Sequence, residues 1–503
     1  MTHYATPLTR EDRRFFAGVS AAYLVASSSL IRSWPLLWPD EAIFADTARG
    51  ILVNGHPSTA LVAGMASGAY WQPPGWFYFL SPFIRVLGDD IVCLRVVSML
   101  IGLCVLWATA HLVRLLGESP FTCRVSLLLL ALNPNFITYV KLVRMDGLCV
   151  LLTILGLHAY LRFCASGKSL QLASGCGLFT LAMLTHPLGV IGPAAAGCHS
   201  IFLGWKKQKP TWESLIWLLL PVAASTALWW LSSDHHAEFT RQMEFQLARK
   251  SRPLPVSVMA FLERYRSLPL FALLAFAGLA HVWARASRER PSSTVFLALS
   301  ASISAIVVAL FFEIPYHVYC LPFIAIAAGA LLERSWTRVR PFPRAARIAL
   351  VAVLCNFGAY FLFFNYEFHV ALSDETNYDS FTEKVAQEIP SGATVCIGGY
   401  PTLYWGLRAS GREYTLVSDT FLSDSLAIDL MRNVEWFVLT NGFDPGDDSP
   451  DVLSETDIVR HYAEKAGKTC RFVHFVGARM KFAYTARIFH FEPIPLASES
   501  SNR

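Results

Sequence analysis

Residues 91–115 read IVCLRVVSMLIGLCVLWATAHLVRL, an apolar run in which Arg95 and Arg114 carry the only fixed charges. It exceeds the ~20 residues that a helix needs to cross a bilayer. The run is typical of its chain. Of 503 residues, 54% are hydrophobic and 16% charged, and the mean hydropathy is +0.42. An ordinary soluble domain carries about 25% charged residues. This composition excludes a disordered, collagen-like or disulfide-scaffold protein and argues strongly against a soluble enzyme. The 14 Trp and 35 Phe suit lipid-facing and interfacial positions. A net charge of +5 gives no reason to invoke nucleic acid.

Working outward from 91–115, eleven candidate spans emerge: 15–37, 91–115, 122–141, 147–163, 170–186, 187–204, 213–233, 268–284, 293–312, 315–333 and 348–366. The expected fold is an all-α polytopic membrane bundle. His186-Pro187 divides the fifth span from the sixth, either as a turn or as a kink in one segment, because proline disfavours helix in the residue before it. The first run is long enough to span and no small-residue cleavage site follows, so it reads as a retained helix.

Basic loops stay in the cytoplasm. With the N-terminus inside, short inner loops hold Arg10, Arg13 and Arg14, then Arg114 and Arg124, Arg162 and Lys168, Lys206, Lys207 and Lys209, Arg285, Arg288 and Arg290, and the group from Arg334 to Arg347. The outer loops hold fewer over a longer stretch. This places 38–90, 232–267 and the tail after 367 on the outer face of an inner (plasma) membrane protein. In the tail, helical patterns at 381–389, 421–432 and 455–466 alternate with strand patterns at 394–397, 435–439, 471–476 and 486–491. That alternation predicts an extracytoplasmic α/β domain. The domains are therefore 1–366, with juxtamembrane helices in the loop 38–90, and 367–503. Cys396 and Cys470 fall on predicted strands, and an oxidising compartment permits a disulfide between them.

The first outer loop opens Trp38-Pro39-Asp40-Glu41-Ala42 and runs on through Ile43, Phe44, Asp46, Arg49, Ile51 and Leu52. Its apolar positions fit one face of a helix lying on the membrane. Pro39 and the acidic pair suit a helix start, so Asp40 and Glu41 read either as functional acids or as caps. The loop then reaches Tyr70-Trp71-Gln72-Pro73-Pro74-Gly75-Trp76, a rigid turn or an interfacial aromatic belt. Asp146, in Lys141-Leu-Val-Arg144-Met-Asp146, falls on the same side of the membrane as Asp40. An ionisable residue at a spanning helix is a functional hypothesis by default. The alternative is a structural pair with Arg144. Arg95 is near the outer end of its span.

The Asp-Glu pair opening the first outer loop, the Pro-Pro turn, Arg95-Val-Val-Ser98 and Arg144-Met-Asp146 together resemble the glycosyltransferase C superfamily. The branch is the family-39/83-like bacterial enzymes, similar to lipid A aminoarabinose transferases and protein O-mannosyltransferases. The resemblance runs from Phe15 to Phe312. It implies an inverting hexosyl- or pentosyltransferase that moves a sugar from a polyprenyl-phosphate donor to a lipid, glycan or protein acceptor at the outer face. Asp40 aligns with the family's catalytic aspartate, a sensible base for an acceptor hydroxyl. Glu41 matches the second acid and Asp146 the other outer acid. Arg144, Arg95, His186, Tyr316, His317, Tyr319 and Arg249 are the substrate-binding candidates. The phosphate leaving group calls for such cations, although loop cations are commonly just solvated. No cofactor is required. Two carboxylates could hold Mg²⁺ or Mn²⁺ through oxygen, but no spacing demands it. At the diproline turn the aminoarabinose branch has an acidic-basic-Pro triplet. Trp71-Gln72-Pro73 stands there instead, which argues against aminoarabinose and leaves the donor sugar open.

Two other readings compete. A transporter or lipid flippase would place ionisable residues near the midplane in repeated halves, whereas these acids gather at one face and no repeat is found. A scaffold would leave Asp40 dispensable.

Overall fold

The computed structural model describes residues 9–338, 377–398, 403–418, 424–440 and 459–494, apart from short gaps, chiefly 208–211 and 478–483, and isolated positions between 348 and 360. The chain forms two compact units. One comprises Met1–Ile31, Tyr70–Phe79 and Val92–Asn365, and the other Arg32–Ala69, Leu80–Ile91 and Tyr366–Arg503.

Helices α1 (Arg10–Ser28), α2 (Pro39–Asn54), α3 (Gly75–Leu87), α4 (Ile91–Leu115), α5 (Pro120–Ala131), α6 (Pro134–Lys141), α7 (Asp146–Ser166) and α8 (Ser169–Thr185) come first. They are followed by α9 (Ile191–Trp205), α10 (Trp212–Leu231), α11 (His236–Lys250), α12 (Leu254–Arg266), α13 (Pro269–Glu289), α14 (Ser292–Leu310) and α15 (Leu321–Arg338). Among the described residues six helices are long and apolar enough to cross a membrane, or seven if the bent pair α5–α6 is one span. The other expected spans coincide with helices that are shorter or more charged, and 348–366 lies largely outside the described residues.

Three boundaries differ from the sequence reading, each for a local reason. The first helix begins at Arg10 rather than 15, because Thr9 and Asp12 form a reciprocal capping box, and it ends at Ser28 rather than 37. The run 122–141 is not one straight helix. Asn133 Oδ1 accepts the Phe136 N–H at 3.2 Å and starts a new helix at Pro134, bending the pair by 61°. At His186-Pro187 the turn is real. His186 is extended (φ −156°, ψ 142°), its Nδ1 accepts the Leu188 N–H at 3.1 Å, and a 3₁₀ turn over Pro187–Val190 leads into α9.

Part-buried polar contacts tie the helices of this unit together. Arg124 pairs with Asp12 at 2.9 Å, linking α5 to α1, and Arg285 of α13 pairs with Glu118 at 2.9 Å. Helices α7 and α8 approach closely because Gly156 has no side chain. A Cβ there would sit 2.5 Å from the Phe179 ring. Gly75, ending the Pro73-Pro74 turn, similarly abuts the Leu184 carbonyl of α8, where a Cβ would come within 2.6 Å.

In the second unit a five-stranded sheet has the order β2-β1-β3-β5-β4, built from β1 (Thr394–Gly398), β2 (Thr415–Ser418), β3 (Trp436–Thr440), β4 (Lys468–Gly477) and β5 (Thr485–Pro493). Strands β2, β1 and β3 run parallel, and β5 and β4 continue antiparallel. Four of these strands and the helices Tyr378–Glu388 and Asp424–Asn433 match the sequence reading, while 455–458 of the expected helix 455–466 lie outside the described residues. Strand β2 and the helix Tyr404–Ala409 were not anticipated. Neither Cys396 nor Cys470 is in a disulfide. They lie on β1 and β4, three strand spacings or about 14 Å apart, whereas a disulfide needs Cα atoms within about 7 Å.

This unit also takes in 32–69 and 80–91, which the boundary at 366 assigns to the membrane domain. Long-range polar contacts explain the grouping. The Leu37 N–H donates to Tyr484 (3.2 Å), Arg32 pairs with Asp379 (2.9 Å), and Arg408 pairs with Asp89 (2.9 Å).

Candidate active site

Helix α2 carries the first acids. Trp38 is its N-cap and Pro39 its first residue, where the missing N–H costs nothing. The Glu41 carboxylate accepts the Trp38 N–H at 2.8 Å and is fully buried. Glu41 is thus a capping group by its contacts. Asp40, one position earlier and ~100° round the helix, is only half-buried.

Six residues on, Asp46 is a buried acid that the sequence reading did not single out. Its Oδ1 accepts from Arg49 Nη2 (2.6 Å) and from the Tyr404 hydroxyl (3.1 Å), and its Oδ2 from Thr59 (2.6 Å). Burial, with the Asp46 charge behind it, pushes the Tyr404 hydroxyl above its ordinary range, so it stays a donor. An open cavity of about 200 Å³ lies beside the pair, lined by Asp46, Arg49, Asn54 and Ser58 among others. The signal in the sequence was the three-residue Asp46–Arg49 spacing, an acid and a base on one face of a helix.

The other acid belongs to the membrane unit. Asp146 begins α7, where a helix N-terminus favours negative charge. Arg144 Nε donates to its Oδ2 at 2.9 Å and the Tyr319 hydroxyl to its Oδ1 at 3.2 Å. All three groups are buried. Tyr319 is delivered by a 3₁₀ turn over Ile314–Tyr319, which also carries Tyr316. The His186 ring packs against both, with centroids 5.1 Å from Tyr316 and 5.6 Å from Tyr319. The structure therefore brings Asp146, Arg144, His186, Tyr316 and Tyr319 into one cluster. His317, on the same turn, stacks flat on Phe261 of α12 at 5.3 Å.

Two further buried cations bind main-chain carbonyls. Arg95 Nη1 donates to Ile31 O at 2.9 Å and Lys141 Nζ to Ser29 O at 3.4 Å, just beyond the end of α1. Arg241 forks onto Glu238 of its own helix (2.8 and 3.0 Å), and the Arg249 side chain lies outside the described residues. On the same helix Gln242 accepts the Tyr70 N–H at 2.7 Å, fastening the entrance to the diproline turn.

Among the described residues no group of three or more His, Cys, Asp or Glu side chains converges as a metal site. Chemistry also disfavours a cation at Asp146, since both its oxygens already accept from Arg144 and Tyr319. At Glu41 one oxygen, Oε2, accepts the Trp38 N–H.

Residues 71–230 match the family model described as dolichyl-phosphate-mannose-protein mannosyltransferase. The fold is similar to that of ArnT from Cupriavidus metallidurans, solved bound to undecaprenyl phosphate, with a TM-score of 0.59 and 14% identity over 94% of this chain and 97% of that one. It is also similar to the archaeal oligosaccharyltransferase AglB from Archaeoglobus fulgidus, in complex with an inhibitory peptide and a dolichol-phosphate, with a TM-score of 0.58 and 11% identity over 97% of this chain and 76% of that one. No curated protein sequence matches the chain. Over nearly its whole length the chain shares the fold of these two proteins, and the family-model match over 71–230 takes in Pro73-Pro74, Arg95 and Arg144-Met145-Asp146.

Proposed function

We propose that the protein is an integral-membrane glycosyltransferase that transfers a sugar from a polyprenyl-phosphate donor to a lipid, glycan or protein acceptor at the outer face. The fold likeness to ArnT and AglB, whose structures hold undecaprenyl phosphate and dolichol-phosphate, favours this reading over a transporter. The observation that carries the assignment of the base is burial. Glu41 and Asp146 are fully buried, while Asp40 keeps partial exposure to solvent.

In this reading the acceptor oxygen attacks the anomeric carbon from the side opposite the phosphate. The carbon–oxygen bond to the phosphate breaks, its electron pair leaves with polyprenyl phosphate, and the configuration inverts. Asp40 receives the proton of the acceptor hydroxyl. With a phosphate acceptor there is no proton to remove, and Asp40 positions instead. Asp146, paired with Arg144 and hydrogen-bonded by Tyr319, orients rather than abstracts. Arg144, Arg95, Arg249, His317, Tyr316, Tyr319 and His186 are the proposed donor- and acceptor-binding groups, the cations meeting charge on the leaving phosphate. The shorter and more charged helices also cross the membrane in this account. With the run 348–366 as the last, that gives eleven spans, a cytoplasmic N-terminus and an extracytoplasmic tail.

The test uses purified full-length protein in nanodiscs and a panel of polyprenyl-phosphate sugars. Release of polyprenyl phosphate is followed with and without a cell-envelope lipid and glycan extract. Turnover of one donor supports the class and names the sugar. No turnover of any donor by folded protein refutes it.

A further inference from the structure

The tail helix Tyr404–Ala409 reaches two separate segments of the first outer loop. Tyr404 donates to Asp46 on α2 (3.1 Å), Trp405 Nε1 donates to the Asp89 carbonyl (2.7 Å), and Arg408 pairs with the Asp89 carboxylate (2.9 Å). The helix is itself firmly seated. The Gly406 N–H donates to the Tyr378 hydroxyl at 3.0 Å, and a Cβ at Gly406 would collide with Thr382. On the receiving side, Asp46 is held from three directions, by Arg49, Thr59 and Tyr404. Asp40 and Asp46 share one unbroken helix. They are ~9 Å apart along its axis and ~120° apart around it. The contacts to Asp46 therefore act on the helix that also bears Asp40.

We infer that Tyr404 is a positioning residue for Asp40, and that through it the C-terminal α/β domain forms part of the catalytic unit rather than an appended module. The inference rests on the transferase reading for its consequence but not for its physical content. Tyr404 fixes the register of α2, and a misplacement of a reacting group by ~1 Å costs a transferase on the order of 100-fold. The ring of Tyr404 also lies under Arg408, 5.3 Å from its centroid, so Tyr404→Phe removes the hydroxyl and keeps this packing.

Hydrogen exchange on the full-length protein in nanodiscs tests the physical link without any substrate. Tyr404→Phe is expected to raise exchange across Ile43–Leu52 about tenfold. Asp46→Asn is expected to loosen the tail helix in return, because coupling is reciprocal. Unchanged exchange in α2 with Tyr404→Phe, in folded protein, overturns the inference whatever the activity. In the donor assay Tyr404→Phe is expected to lower kcat about tenfold or more with the donor KM within twofold, and Tyr404→Ala to lose more. A kcat within twofold of wild type also overturns it. If α2 loosens but wild type turns over no donor, the positioning stands and the transferase reading fails.

Discussion

The buried trio Arg144, Asp146 and Tyr319 gives a sharp energetic prediction. Two hydrogen bonds satisfy the Asp146 carboxylate, one from a guanidinium at 2.9 Å and one from a phenol at 3.2 Å. Removing one member of such a pair strands a charge away from water, which costs about 3–5 kcal/mol. Arg144→Leu and Asp146→Asn are each expected in that range. The double variant leaves no uncompensated charge, so it is expected to cost less than either single change, a coupling well above ~1 kcal/mol. Tyr319→Phe withdraws one bond to a charged acceptor and is expected to cost about 1.5–3 kcal/mol. The assay is equilibrium unfolding in mixed micelles. Additive single changes, or an Arg144→Leu cost under ~1 kcal/mol, would refute the reasoning that these groups form one coupled buried unit.

Glu41 should behave as a cap. Glu41→Gln keeps an oxygen for the Trp38 N–H and is expected to retain turnover within about tenfold of wild type, whereas Glu41→Ala loses about 1–3 kcal/mol of stability. Loss of turnover in Glu41→Gln as deep as in Asp40→Asn would instead make Glu41 a reacting acid. Burial pushes the Cys470 thiol up to about 11. Its thiolate fraction therefore rises with pH, and maleimide labelling is expected to be slow at pH 7 and to climb about tenfold per unit up to pH ~10. Fast labelling at neutral pH, or an oxidative Cys396–Cys470 bond in folded protein, would contradict the strand order.

How far the sequence carried the account depends on the range of the interactions. Apolar runs announced the helices because hydropathy is summed over neighbouring residues, and six of those runs stand as long spanning-type helices. The break at Asn133-Pro134 was also local, but a hydropathy window averages across it. The capping contact of Glu41 was legible as one of two alternatives, since Trp38 is three residues away. The role of Asp46 was not legible, because its partner Tyr404 is 358 positions along the chain. For the same reason the outer-loop segments 32–69 and 80–91 group with the tail, through contacts such as Leu37 to Tyr484 that no periodicity encodes. The cluster of His186, Tyr316, Tyr319 and Asp146 unites residues from three distant stretches, each noticed singly in the sequence.

The central claim is that Asp40 is the base of a polyprenyl-phosphate sugar transfer. Its most direct test is polyprenyl-phosphate release by Asp40→Asn beside wild type, with a hydroxyl acceptor and with donor binding measured on both proteins. The account predicts a fall of about 10²–10⁴-fold with donor binding retained, the range a general base contributes. Turnover within a few-fold of wild type would contradict it.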